Sequence, residues 1–524
     1  MSNTAKKWGS VFLLFFSLFI LYTIFSDHTD DKEEEPKEEE SYRADYHFTT
    51  PEHWKNDPQK PIYLDGKYHY YYLYNGDYPD GNGTEWRHAT SKDLLHWKDK
   101  GIAIPKYTNE NGDPWSGSVV VDHNNTAGFG KDAVIAIVTQ PSSDGQQEQY
   151  LWYSTDKGQT FSSYSDEPIM SNPGVDDFRD PKIIWDENSN KWVMLMAEGT
   201  KIGFYESENL KDWEYTSEFQ TEGIGLLECP DLYMMRADDG SLKWILGASA
   251  NGKSTGKPNT YAYWTGEYNG KEFIADEEEP QWLDYGFDWY GGVTFPDGEA
   301  EDKLSKRYAI AWMNNWDYAD NTPTMDEGFN GVDSIVRTIE LQKQENDSYS
   351  LLSQPVDTLN ELTKSEDFYE KIEVDSKKTL EAQGTSYQFE ADISWEEAKN
   401  IGIRVRESED QSRSLVTGIT SEGGYSYVNR EETGQPDDNG EWIESRAPFD
   451  SSQKKVHLKV LVDKTSIEVF INDGRVTHTN RVFPPLEDEG ITLFSEGGSA
   501  VFENVKIKHY RSIHDEKTTE EAPF

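Results

Sequence analysis

From about residue 45 onward the chain is written in short stretches of alternating or continuous apolar residues, each closed by turn residues. Val456-His457-Leu458-Lys459-Val460-Leu461-Val462 and Ser466-Ile467-Glu468-Val469-Phe470-Ile471 follow the two-residue period of half-buried strands, and Asn472-Asp473-Gly474 supplies a hairpin turn after the second. Other stretches, such as Tyr150-Leu151-Trp152-Tyr153, are dense in aromatic residues. A helical period is nowhere sustained between about residues 45 and 350. The pattern predicts an all-β protein.

A recurring turn divides the first part of that pattern. Ser91-Lys92-Asp93-Leu94-Leu95-His96-Trp97, Ser154 to Phe161 and Ser207-Glu208-Asn209-Leu210-Lys211-Asp212-Trp213 share one design, and Thr265 to Phe273 is a looser fourth copy. Spacing of this kind suits one four-stranded blade per repeat and leaves room for five blades, hence a five-bladed β-propeller over residues 45–355. The competing explanation, chance recurrence of common turn residues, is weakened by three ordered copies. A polar connector with helical character is expected over 356–373, and a β-sandwich over 374–512.

Composition supports a packed protein. Of 524 residues only 35% are hydrophobic, but 17 Trp, 30 Tyr and 23 Phe supply large apolar surfaces. A formal net charge of −48 excludes nucleic acid as a partner, since no basic patch could displace counterions from phosphates. Lys6 and Lys7 precede an apolar run, Trp8 to Phe25, so residues 1–26 read as an export segment, either cleaved or retained as a membrane anchor. The basic side of this run faces the cytoplasm, which puts the rest of the chain on the extracellular face. Residues 27–44 read as an acidic spacer and 513–524 as a polar tail. A single cysteine, Cys229, excludes intrachain disulfides. The 11 histidines form no metal-ligand pattern, and no metal or cofactor is implied.

Three acidic motifs carry the chemistry: Asn56-Asp57-Pro58, Arg179-Asp180-Pro181 and Glu228-Cys229-Pro230. One Asp-Pro alone is a turn; three acids on separate strands suggest one pocket, and two carboxylates flanking a glycosidic bond suffice to hydrolyse it. In this order the motifs resemble the signature of glycoside hydrolase family 32, the invertases, inulinases and levanases, which act on β-fructosides. The resemblance covers essentially the whole chain after the spacer. It implies a propeller joined to a sandwich, with Asp57 as nucleophile, Glu228 as general acid and then base, and Asp180 as transition-state stabiliser. Asp57 must then stay ionised, whereas Glu228 needs a raised pKa. Arg179 is placed to orient the acids. The flanking matches make Trp54, Asn56, Trp115, Ser116 and Trp316 candidate sugar contacts, with core packing the alternative for each tryptophan and a turn hydroxyl for Ser116.

The chain departs from the family pattern at Lys55, Gln59, Leu73 and Arg87. In exo-acting relatives these positions surround a single terminal fructose, and their change implies a cleft open at both ends. Within the family the chain is most similar to the bacterial enzymes that cut levan, the β-2,6-fructan, internally. The resemblance therefore implies a fructan substrate and short levan oligosaccharides as products. An exo-acting fructanase or invertase is the alternative in the same class, and a non-catalytic sugar-binding propeller the alternative in another.

Overall fold

The computed structural model describes residues 41–79, 83–108, 111–434 and 440–515. The expected export segment and most of the acidic spacer and polar tail lie outside them. Among the described residues no helix is long and apolar enough to cross a membrane.

Five antiparallel sheets follow one another along the chain, and the first strand of each lines a common axis. These inner strands are β1 (His53–Leu64), β2 (Gly117–Asp122), β3 (Arg179–Asp186), β4 (Leu227–Arg236) and β5 (Tyr290–Pro296). The fold is a five-bladed propeller. Its ring closes where Phe329-Asn330, contributed by the fifth blade's connection, pairs in parallel with His53-Trp54 of β1.

Both faces of each blade are covered, which explains why many strands read as continuous apolar runs rather than strict alternation. Leu73, Trp86, Val119, Val134 and Trp152 pack between blades one and two, and Val120, Ile135, Ile183 and Trp192 between blades two and three. The recurring turn joins the third strand of a blade to the fourth. In it Ser91 Oγ accepts the Leu94 N–H and Ser207 Oγ the Leu210 N–H, both at 2.9 Å, while each leucine adopts positive φ.

After the propeller come two six-stranded sheets packed face to face, a β-sandwich with an apolar core that includes Phe389, Ile403, Val460, Val469 and Phe502. The expected connector over 356–373 is corrected here. Only Asp357–Leu362 is helical, as a short 3₁₀ turn, and Thr363–Val374 is an edge strand of the sandwich. Its alternation is hidden in sequence because only Ile372 and Val374 are buried, and the rest of this edge strand is largely polar on both faces.

Buried charge joins the two halves. Arg337 of the fifth blade bonds Asp284 at 2.8 Å and the sandwich's Glu468 at 2.5 Å. His47, just before β1, bridges Asp463 and Glu468 of the sandwich at 2.8 and 2.9 Å. Burial works to lower the His47 pKa, but the two carboxylates outweigh it and push it up to about 9.

Candidate active site

Each acidic motif begins an inner strand or lies near its start, and each is the place where that strand's pairing slips. The register is broken between Lys55 and Pro58 in β1, opposite Leu195/Ala197 in β3, and between Glu228 and Asp231 in β4. The physical cause is in the motifs: Pro58, Pro181 and Pro230 have no N–H to give to the ladder, so a bulge forms and re-aims the neighbouring side chain. Asp180 and Cys229 complete two of these bulges in left-handed conformations, with φ of 59° and 48°. Such backbone is uncommon for residues with a Cβ and clusters at functional sites.

The three acids converge at one end of the axis. Ser116, at the start of blade two, donates its hydroxyl to Asp57 Oδ2 at 2.7 Å. Gln59 fixes that arrangement: its amide nitrogen, Nε2, donates to Ser116 Oγ and to the Asp57 carbonyl, and its Oε1 accepts the Gly117 N–H at 2.7 Å. Asp180 Oδ2 accepts the Cys229 N–H at 3.0 Å, and the Asp180 N–H donates to Thr139 Oγ1 at 3.1 Å. Glu228 Oε1 accepts Arg179 through Nη2 at 3.1 Å and Nε at 3.3 Å, and Oε2 accepts the Tyr290 hydroxyl. Arg179 also holds Asp177. The guanidinium is thus locked between the carboxylates of Asp177 and Glu228.

Burial pushes the Asp180 carboxyl up to about 7; Arg179 opposes this, and the charges of Glu228 and Asp57 add to it. Burial also raises Asp57, with the Ser116 hydrogen bond working in the other direction and Glu228 reinforcing the rise. The Asp180 and Asp57 carboxyls are buried, whereas the Glu228 side chain keeps 19% exposure and an arginine on one oxygen.

The candidate sugar contacts separate into two groups. Asn56 is buried and accepts the Trp54 indole N–H on Oδ1 at 2.9 Å, so this pair shapes the wall behind Asp57. Trp54 itself packs with Tyr290 and Trp312 and is 7% exposed. Trp115 is half-buried, anchored by its N–H on the Thr139 carbonyl. Trp316 is different: 50% exposed, it stacks on Trp54 and packs against Trp312, the outermost ring of an aromatic pile.

Three of the four departures from the family pattern lie away from the place expected of them. Lys55 is fully buried, paired with Asp333 and bonded to Tyr70. Leu73 belongs to the core between blades one and two. Arg87 forms a bidentate pair with Asp99 at 2.8 and 2.9 Å. Side chains alternate across a strand, and these three fall on faces turned into the blades or toward their outer strands. Gln59 alone among the four touches the acids.

Sequence reasoning missed Tyr290 and Gly291. The fifth blade contributes no acid, but its inner strand is also bulged, between Tyr290 and Val293. Gly291 there has φ 61°, and a Cβ on it would lie 3.1 Å from Asp57 Oδ1. The Gly291-Gly292 pair in an otherwise regular strand was the available signal. Among the described residues no group of side chains has the composition and spacing to hold a metal ion.

Residues 47–355 match the model of the glycosyl hydrolases family 32 N-terminal domain, and residues 356–509 that of the family 32 C-terminal domain. The levanbiose-producing levanase of Bacillus subtilis (strain 168) is 63% identical over 512 residues, covering 98% of this chain and 99% of its own length. That of Geobacillus stearothermophilus is 66% identical over 395 residues, 75% of this chain and 100% of its own. Among solved structures, the exo-inulinase from Aspergillus awamori superposes with a TM-score of 0.80 at 28% identity, over 90% of this chain and 99% of its own. With both family domains matched in order along nearly all of the described chain, the protein belongs to glycoside hydrolase family 32.

Proposed function

We propose that the protein is a retaining β-fructofuranoside hydrolase that cuts levan internally and releases short β-2,6 oligosaccharides such as levanbiose. The observation that carries the chemistry is the convergence of Asp57, Asp180 and Glu228 at three bulges around one axis, each acid held by a different partner. The substrate and product are supported by the two levanbiose-producing relatives, which share about two thirds of their residues with this chain over the matched lengths.

In this reading the Asp57 carboxylate attacks the anomeric carbon of a fructosyl unit while the bond to the leaving oxygen breaks, and Glu228 delivers a proton to that oxygen. A covalent fructosyl ester on Asp57 results. Water then attacks the same carbon, Glu228 takes the proton, and the ester bond to Asp57 breaks. Asp180 holds fructosyl hydroxyls most tightly as the ring flattens, which favours the transition state over the bound substrate. Arg179 orients Glu228, and Trp316 offers an open ring face to a neighbouring sugar unit. Asn56, Trp54, Trp115 and Ser116 shape and hold the pocket around the nucleophile.

The propeller, over about residues 45–355, acts as the catalytic domain, and the sandwich, which starts at the edge strand Thr363–Val374, as its support. The chain works on the extracellular face, held by its N-terminal segment or released after cleavage. Digestion of levan, inulin and sucrose side by side tests this function. Fast loss of polymer on levan alone is expected, and equal or faster turnover of sucrose would contradict it.

A further inference from the structure

The two sheets of the sandwich have unlike outer faces. The sheet carrying Asp463 and Glu468 is pressed against the propeller through the buried ion pairs described above. The other contains β6 (Asn400–Glu407), β7 (Leu415–Thr420), β8 (Tyr425–Asn429) and β9 (Glu444–Pro448), hydrogen-bonded in that order. Inward-facing Ile401, Ile403, Leu415, Ile419 and Val428 feed the sandwich core. The alternate positions therefore face away from it.

That outer face is dished. Gly402 and Gly418 pair directly across β6 and β7, and the Phe494 ring and the Tyr427 hydroxyl come to 3.0 and 3.2 Å from where their Cβ atoms would stand. A Cβ on either would fall within 2.6 Å of a carbonyl of the neighbouring strand. A glycine pair inside a sheet marks a place where something else can approach the backbone closely. Around it Asn400, Arg404, Tyr425, Tyr427, Asn429 and Glu444 wall a hollow of about 350 Å³, the size of a small-ligand site.

The chemistry of the wall selects among ligands. Arg404 gives Nη1 to Ser414 at 3.0 Å but its buried Nε has no partner. Tyr427 and Asn400 are tied together at 3.0 Å, as are Asn429 and Glu444 at 2.8 Å, leaving further donor and acceptor capacity on the amides and the carboxylate. Arg446 lies over the Tyr425 ring at 4.4 Å and stiffens it. Glu431, Glu432 and Glu444 repel an anion. An apolar ligand would leave the arginine, amides and carboxylate unsatisfied. A neutral ligand with many hydroxyls, each able to donate and accept, satisfies all of them.

We infer that this hollow on the outer sandwich sheet is a second, non-catalytic binding site for a fructan chain, one that holds polymer near the propeller without cleaving it. The inference rests on the proposed fructan specificity. The test is migration in native gels containing levan, with Glu228→Gln in every sample to stop digestion. Combining Arg404→Ala with Tyr425→Ala is expected to weaken retardation at least about fivefold, the loss of one or two hydrogen bonds. In the otherwise unmodified enzyme the same pair should leave hydrolysis of a levan oligosaccharide that fills only the catalytic cleft unchanged, which also reports intact folding. If that pair fails to fold, Asn429→Ala is read in the same way. Unchanged retardation, or displacement of levan by calcium ions alone, overturns the site. An enzyme that leaves levan undigested contradicts the proposed function instead, so the two failures are distinct.

Discussion

The backbone N–H of Cys229 donates to the Asp180 carboxylate at 3.0 Å, and both residues hold left-handed backbone directly before a proline. Two strained bulges in adjacent blades thus lock onto each other and set the floor of the pocket. The thiol also faces the acids, with Sγ 3.7 Å from Asp180 Oδ2 and 3.9 Å from Asp57 Oδ2, but these contacts are longer and weaker than the backbone bond. Burial, with Asp180 and the other acids behind it, pushes that thiol well above its usual range, so it offers no thiolate nucleophile. Cys229→Ala should keep activity within about tenfold, whereas Asp180→Asn should lower kcat by about a hundredfold or more. Steady-state kinetics of the two variants on levan checks this.

Ser116 sets the protonation of Asp57 as well as its position. A hydroxyl bonded to the ionised form favours that form, so its removal raises a pKa that burial has already lifted. In Ser116→Ala the acid limb of the kcat/KM profile should move to higher pH. At the optimum, activity should fall about tenfold to a hundredfold, the scale of a hydrogen bond to a charged group. A pH–rate profile of the variant reads both effects.

Gly291 is a steric prediction. Alanine there places a methyl group 3.1 Å from Asp57 Oδ1 and 3.3 Å from its Cγ, while φ 61° adds strain of about 1 to 2 kcal/mol. Gly291→Ala should lower kcat at least about tenfold with a small drop in melting temperature. Kinetics and thermal unfolding measured together separate the two.

The His47 bridge makes stability depend on pH in a definite direction. Its folded pKa, about 9, lies above the unfolded value of about 6.5, so its contribution is complete below about 6.5 and is lost as pH rises through about 9. Its partner Asp463 behaves oppositely: burial raises its pKa, but the hydrogen bond and charge of His47 and the backbone N–H groups of Asp45 and Tyr46 together outweigh it and push it down to about 2, so this contribution is lost under strong acid. His47→Gln should cost about 3 to 5 kcal/mol near pH 6, as breaking a buried pair does, and less at pH 9.5. Denaturant unfolding at the two pH values gives the difference.

Much of this architecture was legible in the chain. The Ser91, Ser154 and Ser207 turns mark the third-to-fourth strand junctions of three blades because each Ser side chain must accept a backbone N–H there. The three acids were legible because each stands one or two residues before a proline. Proline interrupts the ladder wherever it falls in a strand, so the motif and the bulge are the same fact. What escaped was set by register. Lys55 and Gln59 lie on the same strand, yet Lys55 is committed to Asp333 inside the fold and Gln59 to Ser116 at the acids, because a bulge lies between them. Tyr290 reaches Glu228 from a blade without any acidic motif, and only the packing of the fourth blade's inner strand against the fifth's brings the two together. The strand Thr363–Val374 was hidden by the polar residues of a sheet edge.

The central claim is that Asp57 and Glu228 cut levan within the chain, and the most direct measurement is the early product profile of the wild-type enzyme on levan, read by size-exclusion and sugar chromatography from the same samples. Polymer size should fall steeply while β-2,6 disaccharide accumulates and free fructose stays scarce, and both signals should vanish in Asp57→Asn and Glu228→Gln. Free fructose as the main product from the first time points, with polymer length nearly unchanged, would contradict internal cutting; near-wild-type rates in either variant would contradict the assignment of the acids.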